Sequence, residues 1–378
     1  MTPAVADRHP IEEPTLHLLT NPLKDYAWGS RTDIAELTGR PAPSPGPEAE
    51  MWLGAHPAGP SMLVGDGRSL ADLIADDPAA GLGAATLERH GSRLPFLLKL
   101  IAVARPLSLQ VHPSAEQAVD GHARGVYGDP WPKPELVCAL TPFTALAGFR
   151  PADQAAMLVE RLGVSALKDV VTLLASGSPL QALEALLDGR DIAEQVVWAA
   201  SAVHQPDYAL IVKLARCYPG DPACLAPLLL RRHELAPGQA LFLGAGVLHC
   251  YIKGFGVEIM GSSDNVVRAG LTSKPVDVKE LLRITRPDAS PLALEAGPDG
   301  AFGSPSPEFR LRRVAVDGEL RLDGGLPRIL LCVEGGLRVD DLPVGAGESV
   351  FVPAADPEVT LTGSGMVFVA EPGPTAAA

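Results

Sequence analysis

The chain has 378 residues, of which 47% are hydrophobic and 20% charged, a composition that predicts a globular protein with room for two or three domains. Its formal net charge of −14 disfavours nucleic acid and anionic membrane as partners, because binding to either depends on a basic surface. The first residues carry acidic side chains and lack the apolar segment of a signal peptide, and no apolar run reaches membrane-spanning length, so we expect a cytoplasmic protein. Five cysteines without a CxxC pair argue against a disulfide framework and against a cysteine-rich zinc site.

The chain alternates between β-like and helical stretches. From residue 16 to 150, short apolar runs such as PFLLKLIAVA are interrupted by glycine and proline, which predicts a β-rich unit. Between residues 151 and 233, segments such as PLQALEALLDG space apolar residues at i, i+3 and i+4, as amphipathic helices do. Short runs resume with PGQALFLGAGVLHCYI. We therefore predict a β domain of residues 16–150 and 234–286, into which a helical domain of residues 151–233 is inserted, and one more helix at DVKELLRIT.

The last part of the chain, residues 287–378, follows with a Pro-rich linker and a tail rich in β-branched residues and glycine, and it contains a faint internal repeat. Aligning PGQALFLGAGVLH with AGESVFVPAADPE places Gly238 over Gly347 and His249 over Glu358. Two copies of a strand–turn–strand unit predict two related antiparallel barrels. The tail has no histidine, so we expect it to lack metal chemistry and to pack against the first barrel.

The run SLQVHP carries polar residues where a buried strand would carry apolar ones. Side chains two apart on a strand share a face, so Ser108, Gln110 and His112 point one way while Leu107, Leu109 and Val111 point the other. In WPKPEL, Lys133 and Glu135 share a face in the same manner, and GAGVLHCYIKG supplies His249 from another strand.

Two imidazoles, a carboxylate and an amide oxygen suit a borderline cation such as zinc. A lone buried histidine is more often satisfied by ordinary hydrogen bonds than by a metal ion. Here, however, all four donors come from strands that flank one insertion, which favours a metal site. Glutamine is a weak zinc ligand, so such a site would leave room for water or a substrate oxygen.

After His249 comes GVEIMGSSDNVVRAGLTSKPVDV, which is dense in charged and small residues. Glu258 lies within an apolar run, where burial would raise its pKa and suit proton transfer. Arg268 and Lys274 could hold a phosphate or stabilise an oxyanion, although a solvated loop has the same composition. Lys99, Lys133 and Lys274 lie in or near the polar strands and loops, which favours a phosphate pocket over unrelated surface lysines.

Five motifs occur in order over nearly the first 280 residues: KDYAWG, EMWLGAHPAGPS, SLQVHP, KPELVCALTPFTALAGFRP and GFGVEIMGSSDNVVRAGLTSK. With these motifs the chain resembles the type I mannose-6-phosphate isomerases, also called phosphomannose isomerases. The resemblance implies a mainly β cupin fold with an α insertion: two cupin-like jelly-roll barrels, of which the C-terminal one is degenerate, plus the helical domain. It implies interconversion of mannose 6-phosphate and fructose 6-phosphate, for mannose activation towards GDP-mannose. We also expect a monomer whose only partner is the small sugar phosphate.

The resemblance also implies site residues. One zinc ion per chain would be bound by Gln110, His112, Glu135 and His249. Arg268 matches an arginine regarded as catalytic, and Lys99, Ser108 and Lys133 match residues near the phosphate. The remaining matches to pocket residues are Trp28, Glu50, Glu258, Asp264 and Lys274. Gly261 departs from the family, since alanine is more usual there.

The expected reaction moves a proton between C2 and C1 of the open-chain sugar through a metal-stabilised enediol. Glu258 is a reasonable base, with Asp264, Lys274 or a water on the metal as rivals, and Arg268 is better suited to stabilising the enediolate. Two other classes stay open. One is an iron-dependent cupin oxygenase, whose facial triad also has two histidines and a carboxylate; the other is a sugar-phosphate sensor without turnover.

Overall fold

Residues 16–374 are described by a computed structural model of the chain. Its strands are, in chain order, β1 His17–Thr20, β2 Leu23–Lys24, β3 Glu50–Leu53, β4 Met62–Leu63, β5 Phe96–Val103, β6 Leu109–Val111, β7 Glu135–Ala139, β8 Phe143–Phe149, β9 Leu230–Leu235, β10 Ala240–Leu243, β11 His249–Gly261, β12 Val267–Gly270, β13 Leu292–Leu294, β14 Arg310–Asp323, β15 Arg328–Val339, β16 Leu342–Gly345, β17 Ser349–Val352 and β18 Glu358–Glu371. Its α-helices are α1 Asp33–Leu37, α2 Leu70–Asp76, α3 Pro78–Leu82, α4 Ala84–His90, α5 Ala115–Ala123, α6 Ala152–Arg161, α7 Lys168–Ala175, α8 Pro179–Asp188, α9 Arg190–Ser201, α10 Pro206–Cys217 and α11 Val278–Ile284. Two 3₁₀-helices cover Ser165–Leu167 and Pro222–Leu228.

The larger of the two sheets in this part of the chain has 11 strands and is antiparallel. Its main path runs β13-β10-β7-β11-β5-β3-β2; β6 and β8 also pair with β11, β12 with β6, and β9 with β8. The first half of β11 pairs with β6 and β8 and the second half with β5 and β7. The change falls at Gly254, whose φ is 139° and where a Cβ would lie 2.5 Å from the ring of Phe143. Because β11 pairs with β6 and β8 as well as with β5 and β7, it brings the ends of strands from these two sets close together.

The second sheet has 7 strands within the described residues, in the order β14-β18-β15-β17-β1-β4 with β16 beside β15. Two of its strands, β1 and β4, come from the N-terminal part of the chain, and β1 pairs directly with β17. The two sheets share one hydrophobic core. Its buried members from the larger sheet include Leu98, Leu136 and Val257, and those from the smaller sheet include Leu311, Phe351 and Phe368. A mainly β fold with helices is therefore confirmed.

The helices between β8 and β9 pack as one group on the larger sheet. Leu183 of α8 and Tyr208 of α10 are buried in a core that also holds Leu109 and Val111 of β6. The periodic segments of the sequence correspond to α6, α8, α9 and α11. No helix among residues 16–374 combines the length and apolar character that crossing a membrane would require.

The short helices α2 and α5 were not evident from apolar spacing, because fewer than three turns carry little periodicity. Each begins with a capping box, in which the side chains of Ser69 and Asp72, and of Ser114 and Gln117, bond to each other's backbone N–H. The spacing of Ser with Asp or Gln three residues later is the local signal that identifies them.

Candidate active site

Three of the four predicted ligands meet at one point. His112 follows β6, Glu135 begins β7 and His249 begins β11, and potential ligand atoms of the three lie within 4.8 Å of one another. His112 Nε2 lies 3.1 Å from Glu135 Oε1, and His249 Nε2 lies 3.3 Å from Glu135 Oε2. Each residue is at most 2% exposed. The strand pairing of β6, β7 and β11 thus brings His249 together with two donors that lie more than 100 positions earlier in the sequence.

The hydrogen bonds of the two Nδ1 atoms turn both Nε2 atoms towards Glu135. His112 Nδ1 lies 2.8 Å from the carbonyl of Asn265, and His249 Nδ1 lies 2.9 Å from that of Val247. Since a carbonyl can only accept, each Nδ1 carries a proton, and in the neutral imidazole the lone pair is then on Nε2. His112 Nε2 and Glu135 Oε2 are buried and, among the described residues, have no partner with hydrogen-bond geometry. Such a set fits a divalent cation such as zinc, whose histidine ligands donate their other N–H outward.

Gln110 borders this cluster from β6, directly opposite His249. Its Nε2 lies 3.3 Å from His249 Nε2, and its Oε1 accepts a hydrogen bond from Ser108 Oγ at 3.0 Å. Rotation of the terminal amide by 180° would exchange the two atoms and turn the oxygen towards the cluster, as a metal ligand requires. The alternation expected for SLQVHP holds within the strand, because Leu109 and Val111 enter the helical core. It fails at Leu107, which precedes the strand and lines the cleft.

The electrostatics of the cluster favour a ligating state at neutral pH. Burial, assisted by the charge of Lys133, lowers the pKa of His112 to about 4, so its imidazole is neutral. Burial opposes ionisation of Glu135, but Lys133 and the histidines outweigh it and hold the pKa of that carboxyl well below its usual range. The Lys133 amino group is buried and donates a hydrogen bond to Glu135 Oε1.

A cleft of about 630 Å³ opens beside the cluster. Gln110 and Glu135 reach its wall, whereas His112 and His249 are not among its lining residues. All nine residues assigned to catalysis or substrate binding from the sequence line it: Trp28, Glu50, Lys99, Ser108, Lys133, Glu258, Asp264, Arg268 and Lys274. Further lining residues that sequence reasoning missed include Tyr26, Arg105 and Tyr251. Tyr26 and Tyr251 lie within or beside conspicuous motifs, but Arg105 follows a β-strand with no local signal.

A buried group of charges forms one wall. Lys99 Nζ lies 3.6 Å from Glu50 Oε2 and 3.5 Å from Glu258 Oε2, and Glu50 also accepts a 2.6 Å hydrogen bond from Trp52 Nε1. Burial and the charge of Glu135 raise the pKa of Glu258 to about 7. Burial alone would lower the pKa of Lys99, but the two carboxylates outweigh it and raise that pKa. The cleft therefore presents a carboxyl that titrates near neutrality beside a permanent cation.

Exposed or half-buried cations also line the cleft. Arg268 of β12 lies opposite Gln110 in strand register, and Lys274 Nζ sits 4.5 Å above the ring of Tyr26. Burial, with the charge of Arg268, lowers the pKa of Lys274. Asp264 is largely exposed on the adjoining loop, 3.6 Å from His56 Nε2.

The structure also explains the departure at position 261. Gly261 donates a backbone hydrogen bond to Pro134 O at 3.0 Å, and a Cβ there would lie 2.7 Å from Pro132 O. The missing side chain lets the end of β11 approach the segment that carries Lys133 and Glu135.

Comparison with known proteins agrees with this geometry. Residues 16–152 match the family model described as phosphomannose isomerase type I, catalytic domain. The chain is 34% identical to mannose-6-phosphate isomerase of Escherichia coli, over 92% of this chain and 97% of that protein, and 31% identical to the Homo sapiens protein with the same coverages. The chain belongs to the type I phosphomannose isomerase family.

Solved structures of the family superpose over nearly the whole molecule. A zinc-bound mannose 6-phosphate isomerase matches with a TM-score of 0.87 and 33% identity, covering 95% of this chain and all of that one. A variant of phosphomannose isomerase from Salmonella typhimurium matches with a TM-score of 0.89, 33% identity and the same coverages.

Proposed function

We propose that the chain is a zinc-dependent isomerase that interconverts D-mannose 6-phosphate and D-fructose 6-phosphate and supplies mannose 6-phosphate for mannose activation. One observation carries the proposal: unpartnered donor atoms of His112 and Glu135 converge with His249 beside a cleft that also holds Glu258 and Arg268. Membership of the isomerase family supports the same reaction.

The reaction needs a base and an electrostatic partner for developing charge. A proton leaves C2 of the open-chain aldose, its electron pair forms the C1=C2 bond of the enediol, and a proton is returned to C1 as O2 loses its proton and O1 gains one. When bound, zinc supplies a Lewis acid that polarises the sugar carbonyl and acidifies the adjacent C–H bond.

We assign the proton transfer to Glu258. Its pKa of about 7 lets it accept a proton at neutral pH and release it again. Asp264 and Lys274, the rivals on the same cleft, are largely solvent-exposed. Arg268 remains cationic and stabilises the negative charge of the enediolate.

The cations of the cleft bind the phosphorylated sugar. Lys99 and Lys133 each contact a carboxylate, so part of their charge is already compensated. Ser108, Trp28 and Glu50 complete the polar lining of the substrate site. Arg105, an exposed lining residue at the end of β5, adds positive charge for a dianionic phosphate.

The division into domains is also a proposal. Residues 16–150 and 234–286 form a metal-binding cupin barrel, residues 151–233 an inserted helical domain, and residues 287–378 a degenerate cupin barrel. The matching pairing of β10 and β11 with β7 and of β17 and β18 with β15 supports two related barrels. The pairing of β1 and β4 within the second sheet means that the first segment contributes to both.

Two properties of the protein in solution are predictions of the same proposal. We expect the protein to be cytoplasmic and to be a monomer. Sedimentation analysis of the zinc-loaded protein tests the monomeric state directly. A stable dimer in that experiment would contradict the expectation.

The decisive experiment measures metal content and isomerase activity of the purified protein before and after chelation, with mannose 6-phosphate in a coupled assay. We expect about one zinc per chain, loss of turnover on chelation and recovery with zinc. Variant His112→Ala should lack zinc and turnover, whereas the matched variant His204→Ala, in an exposed position, should retain both. Sugar-phosphate binding without turnover would identify a sensor, and oxygen consumption with ferrous iron an oxygenase.

A further inference from the structure

We propose that Asp129, which lies outside the substrate cleft, is a positioning residue that orients the metal ligand His112 through the loop of residues 262–265. The inference rests on the proposed metal centre and concerns a residue to which that proposal gives no role. Asp129 is six residues before Glu135 on the segment leading into β7, and the loop lies between β11 and β12.

The Asp129 carboxylate accepts hydrogen bonds from three residues of the loop. Its Oδ1 accepts hydrogen bonds from Ser263 Oγ at 2.9 Å and Asn265 Nδ2 at 3.1 Å, and its Oδ2 accepts one from the Asp264 backbone N–H at 3.1 Å. A fourth bond, from Trp131 N to Oδ1 at 2.9 Å, closes a local turn. A turn of this kind is common by itself, but it does not require the three bonds to a loop about 135 positions away.

Asn265 transmits this organisation to the metal centre. Its side-chain amide is held by the carboxylate and carbonyl oxygen of Asp129 and by Trp131 O at 3.0 Å, and the residue is 2% exposed. Its own carbonyl accepts the 2.8 Å hydrogen bond from His112 Nδ1. That bond fixes both the tautomer and the rotation of the ring, and so the direction of the Nε2 lone pair.

The same loop places Asp264 at the cleft wall, so Asp129 couples the position of a metal ligand to that of a substrate-facing carboxylate. Replacing the carboxylate by an amide tests the coupling with little change of shape. In Asp129→Asn, the amide oxygen can still accept at the Oδ1 position, whereas the amide nitrogen would face the Asp264 N–H, donor against donor.

The experiment compares zinc affinity with intrinsic stability. Zinc dissociation constants are measured by competition of metal-free protein with a chromogenic chelator, and thermal unfolding of the same metal-free samples is recorded alongside. We expect a 10- to 100-fold weaker zinc affinity for Asp129→Asn, the size typical of outer partners of metal ligands. We expect its metal-free unfolding temperature to match that of Asp77→Asn, a control whose exposed carboxylate also accepts a backbone N–H, at 3.0 Å.

A second variant, Asn265→Ala, removes the held amide but keeps the carbonyl that bonds His112, and it should weaken zinc binding in the same direction. The inference is overturned if Asp129→Asn binds zinc within twofold of the parent, or if its loss of affinity is accompanied by unfolding of the metal-free protein at the assay temperature. A parent protein that neither binds zinc nor isomerises the sugar would instead overturn the proposed function, so the two failures are distinguishable.

Discussion

The two strand–turn–strand units of the chain have the same frame and different chemistry. In one, β10 and β11 both pair with β7; in the other, β17 and β18 both pair with β15. Each unit begins with a glycine of positive φ, 91° at Gly238 and 85° at Gly347. Five residues after these glycines, Leu243 lies opposite Glu135 and Val352 lies opposite Arg328. Glu135 and Arg328 therefore occupy matching positions in the two sheets.

The side chains at these matching positions have different partners. Glu135 faces two histidines whose donor atoms converge on it. Arg328 donates a 2.9 Å hydrogen bond to Glu371 and both residues are buried, and Arg310 Nη1 lies 3.5 Å from the other oxygen of Glu371, so the carboxylate is fully paired within this sheet. The position that matches His249 is Glu358, an exposed residue 3.3 Å from Arg321. The shared frame therefore does not create a metal site; the donor atoms placed at its strand ends do.

The strongest way to break the comparison is the same substitution in both sheets. Glu135→Gln should lower zinc affinity and kcat/KM by about a thousandfold or more, beyond the 10- to 100-fold cost of losing an outer partner, because the carboxylate at the centre of the cluster loses its charge. Glu371→Gln serves as the control and should leave zinc affinity unchanged. Chelator competition and the coupled isomerase assay measure both, and equal effects of the two variants would contradict the comparison.

Loss of a cation that lines the cleft should impair catalysis, whereas loss of a cation from the second sheet should not. Arg268→Ala should lower kcat by roughly 10²- to 10³-fold with little change in KM, because the guanidinium acts mainly on charge that develops in the transition state. Arg321→Ala, on the exposed surface of the second sheet, is the control. Steady-state kinetics test this, and a large rise in KM with kcat intact would reassign Arg268 to substrate anchoring.

The raised pKa of Glu258 predicts the pH dependence. Because a base must be ionised, kcat/KM should fall about tenfold per unit as the pH drops below the pKa of this carboxyl. In the zinc-loaded protein this limb should lie at or below about pH 7, since the cation offsets the charge of Glu135. Between pH 4.5 and about 7, Glu258 keeps its proton in the folded state and loses it in the unfolded chain. The protonated carboxyl therefore contributes to the free energy of unfolding below this window, and the contribution is lost as the pH rises through it.

Comparing the pH–rate profile of the parent with that of Glu258→Gln tests whether Glu258 is the group responsible for the acid limb. Residual activity of the variant should lack the acid limb. An unchanged limb would show that a group other than Glu258 titrates there.

Breaking the ion pair of the second sheet should affect stability and leave the chemistry unchanged. Arg328→Met removes the buried partner of Glu371 and leaves only the partly exposed Arg310, whose Nη1 lies 3.5 Å from Glu371 Oε1, so the free energy of unfolding should fall by up to about 3–5 kcal/mol. Denaturant titration measures the loss, and the zinc dissociation constant of the folded variant should stay at the parent value. The double variant Arg328→Met with Glu371→Leu should recover much of the stability, whereas failure to recover would mean that the pair is not the source of the loss.

Local patterns made the core of the site predictable. Alternation placed Gln110 and His112 on one face, and burial of Glu258 followed from the apolar residues on either side of it. What could not be read from the sequence depends on distant pairing. The bond of Lys133 to Glu135, the position of Leu107 at the cleft wall and the contacts of Asp129 with residues 262–265 arise from how separate segments meet, which no local periodicity encodes.

The position of β1 has a consequence for the evolution and engineering of this fold. Because this N-terminal strand is hydrogen-bonded to β17, truncating the chain after the metal-binding segment would leave a bare strand edge, the kind of surface on which chains aggregate. The histidine-free C-terminal segment thus covers an edge of the metal-binding segment, and separating the two should expose that edge to strand pairing between molecules.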